Sequence, residues 1–147
     1  MNDHFDLTDG VKLLNKDVAY LLCTAFEGGV GYWCIIVGHV KPSETKAWMD
    51  EGDDEPDVWR NYDWPVTDGG AVIIADAEEW VAAENEGDTS NVKTYRIDRE
   101  SIQRGLEGMQ RMYPKVFDDF RYENYDANTA DVFLQCCCGF EEGIRYG

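Results

Sequence analysis

The feature that most constrains this fold is a helix pattern that gives way directly to a strand pattern near the N-terminus. Apolar residues at positions 18, 21, 22, 25 and 26 form one stripe of a helix, and Gly28-Gly29 is typical of a helix end. Residues 32–37 then have the β-branched and aromatic composition of a buried strand. One short segment therefore requires both a packed helix and a sheet. Asn15 is predicted to cap the helix, with Leu14 just before the cap.

The other patterns extend this segment to one α+β domain that covers residues 1–147. The Asp9-Gly10 pair predicts a hairpin or turn within residues 5–14. Further strands are predicted at 71–75 and 92–97, with antiparallel pairing. Further helices are predicted after Asp98 and after Asp126 or Asn128, with a short amphipathic turn at 116–120. The expected architecture is three or four helices packed on a small, mainly antiparallel sheet.

Two glycines interrupt the helix predicted after Asp98. Gly105 and Gly108 each weaken a helix by about 1 kcal/mol relative to alanine. We interpret Gly105 as a position where another element of the fold approaches the helix closely.

The acidic charge of the chain is concentrated in its middle third. Residues 42–91 contain 15 Asp and Glu against two basic residues, whereas the whole chain has 30 acidic and 13 basic residues. Such a local excess repels nucleic acid, anionic lipid and phosphate-rich ligands, and it attracts a basic protein surface or a cation. The alternative is a solvated loop that only keeps the protein in solution.

Aromatic residues interleaved with these acids favour a recognition surface, because solubility alone does not require tryptophan. We predict an acidic, aromatic-containing loop region at about 42–66. The predicted partner-binding residues are Trp48, Asp50, Glu51, Asp53, Asp54, Glu55, Asp57, Trp59 and Trp64. The expected partner is a protein with a basic surface, and direct binding to nucleic acid is not expected.

Several other function classes lack their sequence signatures. Met1 is not followed by a basic, apolar leader, and no run of eighteen apolar residues occurs, so neither a signal peptide nor a membrane span is expected. The five cysteines, three of them consecutive, lack the spacing of a disulfide framework or a zinc site. With no catalytic, metal-binding or cofactor-binding motif found, the sequence predicts a cytosolic binding protein rather than an enzyme.

Two segments at opposite ends of the chain carry a resemblance. Residues 27–34, Glu-Gly-Gly-Val-Gly-Tyr-Trp-Cys, are similar to the E-G-G-x-x-Y-W turn of a group of small bacteriophage proteins of unknown function. Residues 130–135 and 140–147 resemble the closing A-D-x-x-x-Q, F-G-E and Y-G elements of that group, although residues 138–143 spread the usual compact F-G-E apart. The resemblance implies a phage or prophage origin and brings no catalytic residue with it.

These two segments also supply an alternative candidate site, a ligand pocket. Its predicted residues are Glu27, Tyr32, Trp33, Asp131 and Gln135. An anionic ligand there would need help from the one basic stretch, which contains Arg96, Arg99, Arg104 and Arg111. The structural alternative places Trp33 in the core and uses Asp131 or Gln135 to pair backbone groups at the Gly28-Gly29 turn.

The favoured function is that of a phage-encoded acidic inhibitor of a bacterial defence system, such as CRISPR–Cas or restriction. It would occupy a basic nucleic-acid-binding surface of a host protein in the host cytoplasm. The alternative is a small-ligand protein that sequesters or modifies a nucleotide signal of host immunity.

Overall fold

The first element of the fold is the predicted hairpin. The computed structural model describes residues 4–42, 64–140 and 144–146. β1 (His4–Asp6) and β2 (Lys12–Leu14) pair antiparallel and are joined by a 3₁₀ turn at Thr8–Gly10. In that turn the Asp9-Gly10 pair takes the left-handed backbone conformation on both residues. Aspartate and glycine tolerate this conformation better than most residues, so the hairpin prediction is confirmed.

The next element, α1 (Asn15–Thr24), continues into a π-helical turn at Ala25–Gly29 and ends at the predicted glycine pair. Its apolar stripe is buried, as the spacing predicts. The prediction that Asn15 caps this helix is wrong. The helix already includes Asn15, whose buried side-chain oxygen accepts a hydrogen bond from Arg99 Nη1 at 3.0 Å. The Asn15 side chain therefore binds Arg99, which is distant in sequence, and does not cap the helix.

Three strands form the main sheet, with β4 (Ala71–Asp76) between β3 (Cys34–Val40) and β5 (Thr94–Ile97). Both pairs of neighbouring strands are antiparallel, as predicted. The register places Cys34 opposite Asp76, so the start of β3 lies beside the end of β4. This edge of the sheet is where the candidate site described below is built.

A helix that the sequence patterns did not predict, α2 (Ala77–Asn85), lies between β4 and β5 in the chain. Asp76 caps it by accepting a hydrogen bond from the backbone N–H of Glu79 at 2.9 Å. None of the residues of α2 is buried, so no apolar stripe marks it in the sequence. Asp76 followed three residues later by Glu79 is a helix-start pattern that could have revealed it.

Three helices complete the described chain: α3 (Arg99–Met112), α4 (Pro114–Arg121) and α5 (Ala127–Cys137). Asp98 and Asp126 cap α3 and α5, each in a reciprocal capping box with the residue three positions later. Both capping predictions are confirmed, with Asp126 rather than the other candidate at the start of α5.

Close packing of α3 against α5 depends on Gly105. A Cβ atom on this residue would lie 2.6 Å from Cys137 Sγ and 2.8 Å from the Cys137 backbone nitrogen. The interpretation of Gly105 as a close-approach position is confirmed. With five helices rather than three or four in the described segments, the fold is the predicted α+β domain with two small antiparallel sheets.

No helix in the described segments is both long enough and apolar enough to cross a membrane.

Candidate functional site

The centre of the candidate site is the carboxylate of Asp131, on α5. Its Oδ1 accepts hydrogen bonds from Trp33 Nε1 at 2.8 Å and from Gln135 Nε2 at 2.9 Å. Its Oδ2 accepts a hydrogen bond from the Tyr32 hydroxyl at 2.5 Å. Gln135 lies one helical turn after Asp131 on the same face of α5. The tight turn before β3 supplies Tyr32 and Trp33. Four of the five residues predicted for the ligand pocket therefore meet.

The fifth predicted residue, Glu27, lies elsewhere. It is exposed in the middle of the π-helical turn and does not line the cleft beside Asp131. Its side chain interacts with Cys23 instead. Burial raises the pKa of the Cys23 thiol to about 11, and the charge and the hydrogen bond of Glu27 contribute in the same direction.

The side chain of Gln135 holds the C-terminal segment. Its Oε1 accepts hydrogen bonds from the backbone N–H groups of Arg145, at 2.7 Å, and Tyr146, at 2.8 Å. Its Nε2 donates to the carbonyl of Tyr146 at 3.0 Å. Gln135 thus satisfies backbone groups, as the structural alternative expected, but at residues 145–146 rather than at Gly28-Gly29. Asp131 pairs with side chains, so that part of the structural alternative is wrong.

Tyr146 links this segment to the sheet. Its ring stacks on Trp33, with ring centroids 4.5 Å apart and an interplanar angle of 7°. Its hydroxyl donates a hydrogen bond to Asp76 Oδ2 at 2.6 Å, and this bond holds the pKa of Asp76 below its ordinary value. The sequence patterns missed both Tyr146 and Asp76, because no local spacing joins residues so far apart in the chain.

A cleft of about 570 Å³ lies beside this network. Residues of α5, including Gln135, form one side of the cleft. Tyr32, Ile144 and Tyr146 line the rest. The lining residues are Tyr32, Ala127, Asn128, Asp131, Val132, Gln135, Ile144 and Tyr146. Asp131 is the one charged side chain among these residues. The cleft therefore favours a cation and disfavours an anion such as a nucleotide.

The arginines of the basic stretch do not supply the missing positive charge. Arg99 Nη2 donates to the carbonyl of His4 at 2.6 Å, and Arg99 Nη1 donates to that of Val66 at 2.7 Å. Arg96 forms a salt bridge with Asp98 at 3.1 Å. None of the four arginines of the basic stretch lines the cleft. An anionic ligand at this cleft would require these arginines to gather there, and that condition is not met.

No protein-family model, curated protein or solved structure matches this chain. The function therefore has to be inferred from its own residues.

The region predicted to bind a partner, at about residues 42–66, lies largely outside the described residues. The predicted residues that lie outside the described segments are Trp48, Asp50, Glu51, Asp53, Asp54, Glu55, Asp57 and Trp59. Trp64 is described: it starts a 3₁₀ turn at Trp64–Val66 and meets the His39 ring edge-on at 5.8 Å. Its buried Nε1 has no hydrogen-bond partner among the described residues. Trp64 is thus partly packed into the fold.

The cysteines do not form a reactive centre. All five are free thiols, and four of them are buried. Burial raises the pKa of Cys34 to about 12 and that of Cys136 to about 11, which suppresses the thiolate form that acts as a nucleophile. Among the described residues, no group of three His, Cys, Asp or Glu side chains is placed to hold a metal ion.

The hydroxyl of Tyr32 gives this site a measurable pH dependence. Desolvation, followed by the hydrogen bond to Asp131, raises the pKa of Tyr32 to about 12 from its ordinary value of 10.0. A folded-state pKa above the unfolded one contributes stability that is fully present below pH 10 and is lost as the pH rises toward 12. We expect the Tyr32→Phe variant to lose stability less steeply than the parent chain across this window.

Two titrations check this expectation. The phenolate absorbance of the parent chain minus that of Tyr32→Phe should show one group that titrates near 12, while circular dichroism monitors the fold. A difference curve centred at the ordinary tyrosine value would contradict the hydrogen bond between Tyr32 and Asp131.

Proposed function

We propose that this chain is an acidic binding protein that occupies a basic, nucleic-acid-binding surface of a partner protein. We further propose that it is encoded by a phage and inhibits a bacterial defence system, of the CRISPR–Cas or restriction type, in the host cytoplasm. The single observation that carries the proposal is the concentration of acidic residues in residues 42–91, which contain 15 Asp and Glu against two basic residues.

The described half of this acidic region supports the proposal. Residues 64–91 contain seven Asp and Glu and no Lys or Arg. Six of the seven are exposed, and the seventh, Asp76, binds Tyr146. The salt bridges between described residues lie elsewhere, at His4–Asp6 and Arg96–Asp98. The six exposed carboxylates therefore face solvent, and none of them forms a salt bridge with another described residue.

α2 combines this charge with exposed apolar surface. The helix buries none of its residues, and Val81 is 48% exposed while Trp80 is half-buried. A helix that packs so little against its own protein can contact a partner without losing core contacts. Carboxylates with aromatic neighbours can stand in for the phosphates and bases of a nucleic acid in a basic channel.

The phage origin is supported by the resemblance of the two terminal segments to small phage proteins. Those same segments supply the Asp131 network, which joins the turn at residues 31–33, α5 and residues 144–146. In this proposal the resemblance marks a shared way of closing the fold, and the acidic region carries the inhibitory function.

The proposal is tested by removing charge in matched sets of four. One variant converts acids of the predicted loop to amides, a second converts acids on and after α2, and a control converts four exposed acids elsewhere. The three sets are Asp53, Asp54, Glu55 and Asp57; Glu78, Glu79, Glu84 and Glu86; and Asp6, Glu100, Glu107 and Asp118. Each variant changes the net charge by four.

We expect the parent chain to capture host proteins from a bacterial lysate at low salt and to release them at high salt or on addition of DNA. Each exposed charge pair contributes about 0–1 kcal/mol, so the first two variants should bind roughly 10- to 100-fold more weakly. The control should bind like the parent. Equal weakening in all three sets would show that net charge alone, and not the acidic region, determines binding. Micromolar binding of the chain itself to DNA would contradict the mimicry model.

A further inference from the structure

Asp131 is a buried carboxylate without a positively charged partner among the described residues. Its side chain belongs to a residue that is only 7% exposed, and none of the described salt bridges includes it. Both oxygens act as acceptors, from two N–H groups and one O–H group, which is the arrangement of a carboxylate that carries its negative charge. Buried charges in proteins are usually paired with an opposite charge. Here the side chain borders a cleft instead.

The hydrogen bonds hold the carboxylate in place but do not use all of its acceptor capacity. A carboxylate has about four lone-pair positions, and three of them are occupied by Trp33, Gln135 and Tyr32. Because Trp33 is 3% exposed and Gln135 is 1% exposed, those partners are themselves fixed by packing. No donor among the described residues occupies the fourth position.

The cleft around Asp131 has the size and the lining for a small organic cation. Its volume of about 570 Å³ lies in the range of ordinary small-molecule sites. Tyr32 and Tyr146 contribute aromatic rings to its lining, and aromatic faces attract cations. Val132 and Ile144 contribute apolar side chains that can contact an alkyl chain.

The N-terminus of α5, the positive end of the helix dipole, also borders the cleft. It does not reverse the preference of the cleft for a cation. Asp126 accepts a hydrogen bond from the backbone N–H of Thr129 at 3.0 Å and so places a carboxylate at the helix start. An anion at this end would meet two aspartates rather than free N–H groups.

We propose that this cleft binds an alkyl cation, either an ammonium or a guanidinium, with its charged group at Asp131 and its chain along Val132 and Ile144. The same chemistry occurs in free amines and in the side chains of lysine and arginine. The inference does not depend on the proposed inhibition of host defence, because it concerns a different surface.

The test is calorimetric titration of the intact chain with compounds of equal chain length. The cationic probes are n-butylammonium and n-butylguanidinium, and the neutral and anionic controls are 1-butanol and butyrate. We expect saturable binding of at least one cation and no binding of either control. Blocked lysine and arginine amides, titrated in the same way, then distinguish a free amine from a protein side chain as the source.

Two substitutions place the binding at the cleft. Asp131→Asn keeps an acceptor for Trp33 and removes the charge, so we expect at least tenfold weaker cation binding. Asp118→Asn makes the same change at an exposed position of α4 that does not line the cleft, and it should bind like the parent chain.

Three outcomes would overturn the inference: no saturable binding of either cation, equal binding of 1-butanol, or unchanged binding by Asp131→Asn. If Asp131→Asn fails to fold, the comparison of the cations with 1-butanol and butyrate on the parent chain still decides the question. Amide chemical shifts then report the position, and perturbations away from Tyr32, Asn128 and Gln135 would contradict a cation in the cleft.

Discussion

Gly105→Ala should destabilise the protein by about 1–2 kcal/mol net, although alanine is the better helix former. The added Cβ would lie 2.6 Å from Cys137 Sγ, 2.8 Å from the Cys137 nitrogen and 2.9 Å from its Cα. Two of these three atoms belong to backbone, so no side-chain rotation relieves the contact and α3 must move away from α5. Overpacking of this kind costs about 1–3 kcal/mol and exceeds the helix-propensity gain of about 1 kcal/mol.

Gly108→Ala is the matched control on the same helix. Its nearest contact would be Met112 Cε at 3.6 Å, an ordinary van der Waals distance at the end of a flexible side chain. We therefore expect a gain of up to about 1 kcal/mol from helix propensity. Urea unfolding measures both variants, with the midpoint compared at constant m-value. Equal stabilisation by the two substitutions would show that α3 and α5 do not approach each other at Gly105.

The second large effect is expected from Asp131→Ala, at about 2–3 kcal/mol of lost stability. The substitution leaves the buried Nε1 of Trp33 without its acceptor, whereas Gln135 Nε2 keeps the carbonyl of Tyr146. An unsatisfied buried donor costs about 1–3 kcal/mol of stability, and hydrogen bonds to a charged acceptor such as the Asp131 carboxylate contribute more than neutral ones. Asp131→Asn should lose less than about 1.5 kcal/mol, because its amide oxygen still accepts from Trp33.

A double-mutant cycle isolates this contact. Trp33→Phe removes the indole N–H and retains an aromatic ring for stacking on Tyr146, which lies 4.5 Å away. In the Asp131→Ala background this second substitution should cost less than it does in the parent chain. Purely additive effects would mean that the carboxylate does not stabilise the position of Trp33.

The elements that the sequence predicted correctly are those whose signals are local. The stripe of α1, the capping aspartates of α3 and α5 and the apolar run of β4 all depend on neighbours within a few residues. α2 was missed because none of its residues is buried, so its exposed surface carries no periodic apolar signal.

The errors at single residues arise from contacts between distant parts of the chain. Asn15 has the chemistry of a cap, but Arg99, 84 residues away, takes its oxygen. Arg99 in turn looked like part of a basic surface and instead binds carbonyl oxygens of the β1 and 3₁₀ segments. Tyr146 finds Asp76 across 70 residues, a pairing that no spacing rule can indicate. For the candidate site, the sequence therefore supplied four members and missed the two that close it.

The hydrogen bonds of Asp131 also bear on the speed with which the native state is lost. The bonds from Trp33 and Tyr32 join residues 98 and 99 positions apart in the chain, so they form only after a loop of that length has closed. Contacts at such separation contribute little to an early folding nucleus built from local helices. Weakening them should therefore leave the folding rate almost unchanged and accelerate unfolding. The contacts between the turn at residues 31–33 and α5 thus prolong the lifetime of the folded protein, and resistance to proteolysis during long exposure is the property that depends on them most.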